Sequence, residues 1–101
     1  MGAYLHSYGP MIPNLGVFMS TGVYDIPAMA VKITGIYTNT APVDAYRGAG
    51  RPEAAYLVER LVDQCAYDMG LPREEIRRRN FIKSEQMPYT TAGGRLYDTG
   101  E

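Results

Sequence analysis

The chain has 101 residues, of which 46% are hydrophobic, and a formal net charge of −1, so it can form at most one domain. This near-neutral charge gives no electrostatic basis for binding nucleic acid or an anionic membrane surface. A single cysteine, Cys65, excludes an internal disulfide and a paired-cysteine metal site, and it fits a reducing, cytoplasmic setting.

The first 24 residues contain no Asp, Glu, Lys or Arg. Glycines and prolines interrupt this stretch, so it predicts no membrane span, and without a basic start it does not match a signal peptide. A helix is compatible with residues 12–24, and we expect the uncharged segment to lie against another surface. His6 is the only histidine and has no second ligand at a metal-binding spacing, which favours a structural or solvent-facing role.

Residues 28–38 alternate in the way that a strand does. Val31, Ile33 and Tyr37 fall on one face, and β-branched and aromatic residues dominate the run. The alternation predicts a strand near residues 31–38.

A loop with two glycines follows this predicted strand. We call it the signature loop; its residues are Ala45, Tyr46, Arg47, Gly48, Ala49, Gly50 and Arg51. The glycines permit sharp turns and let a ligand approach the backbone amides. Pro52 suits the first position of a helix and Glu53 its first turn, so N–H groups at the helix start would face an anion. The loop predicts an anion site, although such loops also serve only to turn the chain, and neither a Rossmann fingerprint nor a P-loop is present.

Two helices are predicted after the signature loop. In residues 52–69 the apolar residues recur at helical spacing, and Gly70 is suited to end that helix. The residues expected to be packed away from solvent in the intact parent protein are Val58, Leu61, Val62 and Cys65. Glu53 and Glu59 are explained by the helix start and by a solvated face, so neither is a candidate catalytic base.

The second helix is predicted over residues 72–80. It has acidic residues in its first turn and Arg77, Arg78 and Arg79 in its last turn, as the helix dipole favours. Successive helical residues point about 100° apart, so ion pairs are favoured over one phosphate site. Residues 87–91 and 95–97 are predicted to pair as a hairpin.

The signature loop, with residues 37–40 before it and residues 77–82 after it, resembles the molybdenum-binding large subunit of the xanthine oxidase family. Within that family the chain is most similar to the large chains of second-form aerobic carbon monoxide dehydrogenases. Because this subunit is several hundred residues long in the family, the resemblance implies that residues 1–101 are part of a molybdenum cofactor-binding domain. The expected fold is α/β (α+β), with a strand, glycine-rich loop and helix as its core and a second short helix.

The resemblance also implies the roles of the signature loop. Ala45, Tyr46, Arg47 and Gly48 are expected to contact a molybdenum–molybdopterin cofactor in its cytosine dinucleotide form. Arg47 would lie beside the molybdenum without being a ligand, and Ala49, Gly50 and Arg51 would line the substrate pocket. The catalytic glutamate is expected outside this sequence, with iron–sulfur clusters and FAD on partner subunits or domains.

Two departures from the family pattern bear on the substrate. Gly48 stands where copper-dependent carbon monoxide oxidisers carry a cysteine, and Ala49 stands where purine hydroxylases carry a phenylalanine. Oxidative hydroxylation of an aldehyde or an N-heterocycle is therefore expected. The alternative is a non-catalytic anion-binding or protein-interaction module, which needs only the loop, the helix start and a partner surface.

Overall fold

Three helices and a small hairpin make up the computed structural model, which describes residues 1–100. The helices are α1 (Met11–Phe18), α2 (Arg51–Met69) and α3 (Arg73–Asn80). A 3-10 turn at Ser84–Gln86 precedes strands β1 (Tyr89–Thr90) and β2 (Leu96–Tyr97), which pair antiparallel. The two helices predicted after the signature loop, the predicted hairpin and the mixed α and β class are confirmed.

Local sequence explains both ends of α2. Gly50 precedes the helix with a φ of 88°, and Pro52 and Glu53 occupy its first turn, where a missing N–H and a negative charge are favourable. Gly70 ends the helix with a φ of 65°, which a residue without a Cβ adopts at no steric cost.

The residues of α2 that are buried in this chain differ from the predicted ones. Ala54, Val58 and Ala66 are buried and Val62 is half-buried, whereas Leu61 is 56% exposed and Cys65 is also exposed. Leu61 and Cys65 therefore do not pack against other parts of residues 1–100, and their burial in the complete subunit stays a prediction. Within this chain α1 and α3 both pack against α2 and bury Ala54, Val58 and Ala66, but neither helix covers Leu61 or Cys65.

The chain after α1 is tied to the end of α3. Tyr24 is 2% exposed and its ring stacks on Phe81 with centroids 5.6 Å apart. Backbone hydrogen bonds flank this stack, from Asp25 N–H to the Asn80 carbonyl at 2.8 Å and from Ile82 N–H to the Val23 carbonyl at 3.0 Å. These contacts hold the end of α3 against the first quarter of the chain. The hairpin is held to the same part by hydrogen bonds from Tyr97 to the Gly22 carbonyl at 2.8 Å and from Tyr89 to Asp25 at 2.9 Å.

The predicted strand at residues 31–38 is absent from the described residues. A strand requires a neighbouring backbone, and this extended segment has one only at its end, where Thr38 N–H donates to the Gly2 carbonyl at 3.0 Å. The predicted helix over residues 12–24 is also shorter than expected. It ends at Phe18, and Gly22 then takes a φ of 56° in the following turns.

Candidate functional site

The signature loop makes two tight turns before α2. Ala49 N–H donates to the Tyr46 carbonyl at 2.9 Å, and Arg51 N–H donates to the Gly48 carbonyl at 3.0 Å. Gly48, Ala49 and Gly50 all have positive φ, at 100°, 28° and 88°. This run of left-handed residues explains the two glycines, because a side chain at either position would strain the backbone.

Three successive amides of the loop are left free by these turns. Among residues 1–100, the N–H groups of Tyr46, Arg47 and Gly48 donate no hydrogen bond. Tyr46 is 89% exposed, the Arg47 side chain is exposed and Gly48 is half-buried. Consecutive free amides beside a guanidinium form a surface that suits an anionic ligand.

The end of the loop lies in backbone contact with α1. Gly50 is buried, and a Cβ placed on it would overlap the Ile12 carbonyl oxygen and lie 2.5 Å from the Gly16 nitrogen. A Cβ on Gly16 would in turn lie 3.2 Å from the Gly50 carbonyl oxygen. Gly50, predicted to line a substrate pocket, therefore faces α1, and Gly16 is a neighbour of the site that sequence reasoning missed.

The beginning of the loop is held by Asp44. One oxygen of this carboxylate accepts the Ala45 N–H at 2.8 Å, and the other lies 2.9 Å from Nδ1 of His6. His6 thus connects the N-terminal segment to the signature loop, which agrees with the structural role predicted for it.

Gly48 and Arg51 interact with each other and with the start of α2. The Arg51 side chain donates through Nη1 to the Gly48 carbonyl at 3.3 Å. A Cβ on Gly48 would lie 3.1 Å and 3.2 Å from two ring carbons of Pro52. Gly48 therefore also serves the packing of the helix start, beside any contact it makes with a ligand.

A charged cluster joins α2 to α3 away from the signature loop. Arg77 donates to Glu59 at 2.7 Å and to Asp63 at 2.9 Å, and Tyr24 donates to the second Glu59 oxygen at 2.8 Å. The hydrogen bond from Arg77 lowers the pKa of Asp63, and burial together with Glu59 raises the pKa of Tyr24. The Glu59 side chain is 45% exposed, as a solvated face predicts, and it is also paired with Arg77 and Tyr24, a pairing not predicted from the sequence.

This cluster is structural, since Glu59 lies nine residues, or roughly 13 Å, along α2 from Gly50. The sequence contains a signal for this cluster. Glu59 and Asp63 are four residues apart on one face of α2, and the helix that follows is basic. The ion pairs predicted for the triple arginine are confirmed for Arg77 and for Arg79, which contacts Glu75 at 2.6 Å.

Two adjoining cavities, which we call the apolar groove, separate the extended segment from α1 and α2. They measure about 720 Å³ and 470 Å³ and share Ile12, Pro13 and Glu53 in their walls. Neither is lined by a residue of the signature loop. In residues 1–100 no cluster of three or more His, Cys, Asp or Glu side chains is arranged to hold a metal ion, and no helix has the length and apolar character of a membrane span.

The loop geometry coincides with the region matched by a family profile. The profile of the molybdopterin cofactor-binding domain matches residues 1–81, which include α1, the whole signature loop and α2. The chain belongs to the molybdopterin cofactor-binding domain family. The large-subunit resemblance inferred from the signature loop is thereby confirmed.

Three members of this family illustrate the similarity. The carbon monoxide dehydrogenase large chain of Hydrogenophaga pseudoflava is 47% identical over 89 residues, which are 85% of this chain and 11% of the relative. Subunit gamma of the 6-hydroxypseudooxynicotine dehydrogenase complex of Paenarthrobacter nicotinovorans is 35% identical over 89 residues, 88% of this chain and 11% of the relative. The crystal structure of quinoline 2-oxidoreductase from Pseudomonas putida 86 superposes with a TM-score of 0.82 and 34% identity, covering 96% of this chain and 13% of that one.

The chain spans only about a tenth of the length of these relatives. A deep pocket for a large cofactor is built from many convergent groups, and the chains of these relatives extend far beyond the part that this chain matches.

Proposed function

We propose that this chain supplies one wall of the molybdenum–molybdopterin site in the large subunit of a molybdenum hydroxylase. The observation that carries the proposal is the row of free amides at Tyr46, Arg47 and Gly48, beside the Arg47 guanidinium, in a chain of the cofactor-binding family. When bound, the cofactor supplies the two-electron oxidation, and the residues of this chain bind and orient it.

Each residue of the loop has a proposed task. The amides at positions 46–48 and the Arg47 side chain stabilise negative charge on the cofactor, in a site from which water is excluded. Ala45 continues this contact surface, while Ala49 and Arg51 face the substrate. Gly50 permits the turn that leads into α2, and its backbone packs against α1. Arg47 is proposed to lie beside the metal without coordinating it.

For the substrate we propose an aldehyde or an N-heterocycle. Two of the three relatives described are named for a nicotine-derived compound and for quinoline, which supports a heterocycle. The third is named for carbon monoxide, yet this chain has Gly48 in the loop, and glycine offers no thiolate for a soft metal such as copper. We also propose the cytosine dinucleotide form of the cofactor, partner subunits or domains with iron–sulfur clusters and FAD, and a cytoplasmic location.

The test compares two exposed arginines in the complete subunit that contains residues 1–101. Arg47→Ala is expected to lower kcat for quinoline or benzaldehyde, with an artificial electron acceptor, by about 10-fold or more. Arg78→Ala is the matched control, because this exposed side chain makes no ion pair within the described residues. Equal turnover in the two variants, or a purified subunit without molybdenum by mass spectrometry, would contradict the proposal.

A second candidate, an anion-binding module without chemistry, is favoured by one observation. The signature loop is open, and neither cavity of the apolar groove reaches it. Titration of the chain with pyrophosphate, followed by amide NMR shifts at positions 46–48, distinguishes the two candidates. Binding of pyrophosphate together with a complete subunit that contains no molybdenum would favour the module.

A further inference from the structure

The extended segment of residues 28–37 has an unpaired backbone. Among residues 1–100, none of its N–H groups donates a hydrogen bond, and Ile36 has the only carbonyl that accepts one, from the Met1 amine at 2.9 Å. Backbone polar groups in folded proteins are normally paired, and a row of free N–H and C=O groups on extended chain is a template for another strand.

The side chains of this segment match a strand that is covered on both faces. Val31 is 49% exposed and Ile33 is 45% exposed on one face, and Ile36 is 66% exposed on the other. β-Branched residues on alternate sides stabilise a strand only when a neighbouring strand or layer packs against them. The segment has this composition without such a neighbour in the chain.

One side of the segment already faces a layer of helices. Met29 and Val31 line the apolar groove opposite Leu57 and Leu61 of α2, which are 55% and 56% exposed. Helices that pack on one face of a sheet commonly close a hydrophobic core. The groove therefore fits an arrangement in which residues 28–37 are one strand of a sheet and other strands come from outside this chain.

The end of the segment shows how a neighbour can pair with it. Thr38 N–H donates to the Gly2 carbonyl at 3.0 Å, and Ala3 N–H donates to the Thr40 carbonyl at 3.0 Å. From Met1 to Ala3 the hydrogen-bonded partner moves from Ile36 to Thr40, so residues 1–3 run parallel to residues 36–40. Gly2, with a φ of 78°, interrupts this pairing before it becomes a regular ladder.

We infer that residues 28–37 form an edge strand that accepts an extended, apolar segment of the same molybdenum subunit through backbone hydrogen bonds. This inference rests on the proposed function, which places the chain within a larger subunit. Relatives of which this chain covers 11% have ample polypeptide to supply such a strand, and a segment of the same polypeptide is present at high effective concentration.

A second copy of the chain is a poorer occupant. Lys32 is the only charged residue of the segment. In the antiparallel register centred on Lys32 the two ammonium groups of two copies would lie opposite each other, and lysine on an edge strand opposes self-association.

Hydrogen exchange measured by mass spectrometry tests the inference in the complete subunit. We expect amides of residues 28–37 to exchange about 100-fold more slowly than in the 101-residue chain alone, where they are free. Peptides from the middle of α2 serve as the reference, because slow exchange there in both samples shows that the isolated chain is folded. Fast exchange of residues 28–37 in the complete subunit would overturn the inference, and so would a dimer of the isolated chain that protects them.

A pair of variants separates backbone pairing from side-chain packing. Ile33→Pro removes an N–H group and is expected to abolish the protection, whereas Ile33→Ala keeps the N–H group and should retain most of it. Protection that survives Ile33→Pro would contradict pairing through this strand. Molybdenum content is measured on the same samples: a loaded subunit with unprotected residues 28–37 defeats this inference alone, and a protected subunit without molybdenum defeats the proposed function alone.

Discussion

Gly16 of α1 and Gly50 of the signature loop are in backbone contact, with room for no side chain between them. A Cβ on Gly50 would lie 2.5 Å from the Gly16 nitrogen, and a Cβ on Gly16 would lie 3.2 Å from the Gly50 carbonyl oxygen. The contact fixes where the loop enters α2. The position of the proposed cofactor-binding amides therefore depends on a helix that is distant in sequence.

Gly50→Ala tests this contact against a matched control, Gly70→Ala. Both glycines have left-handed φ, at 88° and 65°, but a Cβ on Gly70 meets nothing within 4 Å. We expect Gly70→Ala to lower the free energy of unfolding by about 1 kcal/mol, the cost of the backbone conformation alone. Gly50→Ala should lower it by about 3 kcal/mol or more, because the methyl group also overlaps α1. Equal losses in urea denaturation of the chain would contradict the close packing.

Gly48→Val tests the centre of the loop in the complete subunit. The φ of 100° and the Pro52 ring at 3.1 Å both oppose a branched side chain, so the free amides should be displaced. We expect kcat to fall by about 100-fold, since charge stabilisation depends on donor position. Gly94→Val is the control, with a φ of 81° and open space around the added Cβ. Unchanged turnover with normal molybdenum content would remove Gly48 from the site.

Arg77→Met tests the charged cluster between α2 and α3. Arg77 is 22% exposed and donates to both Glu59 and Asp63, so its loss should lower the free energy of unfolding by about 2 kcal/mol. Arg79→Met removes an exposed pair with Glu75, four residues away, and should cost only about 0.3 kcal/mol. Urea denaturation measures both variants. Similar losses would show that the cluster does not join the two helices.

Acid should destabilise the chain through the same cluster. The hydrogen bond from Arg77 holds the pKa of Asp63 below its ordinary value of 3.8, so the folded state binds this proton less readily than the unfolded state. The resulting stability is fully present above pH 3.8 and is lost as the pH falls through the folded pKa. Hydrogen bonds from Gln86 and Tyr89 lower the pKa of Asp25 in the same way.

Thermal unfolding between pH 6 and pH 2 measures this loss. Asp63→Asn should remove part of the pH dependence and leave the part that comes from Asp25. An unchanged pH profile in that variant would contradict the assigned role of Asp63.

The 101-residue chain by itself is expected to retain no molybdenum cofactor and to have no hydroxylase activity. One loop offers too few preorganised contacts for a large ligand, and the apolar groove does not extend to it. Molybdenum is measured by mass spectrometry after expression in a host that makes the cofactor. Stoichiometric metal together with turnover would contradict this expectation.

Local sequence by itself determined α2, α3 and the turn residues at the ends of α2. Pro52 and Gly70 mark the ends of α2 because a fixed φ and a missing Cβ act within a few residues, without help from the rest of the fold. The loop motif also carried the family assignment. Its glycines were predictable because left-handed backbone requires them wherever the chain makes these turns.

Only the tertiary structure decided which surfaces those elements share. Periodicity placed Leu61 and Val58 on one apolar stripe, but within this chain Val58 is buried and Leu61 is exposed. The contact of Gly16 with Gly50 joins residues far apart in the chain, and no local pattern encodes it. The alternating residues 31–38 have the propensity of a strand, yet a strand exists only where another backbone completes its hydrogen bonds, and within residues 1–100 that neighbour is limited to residues 1–3.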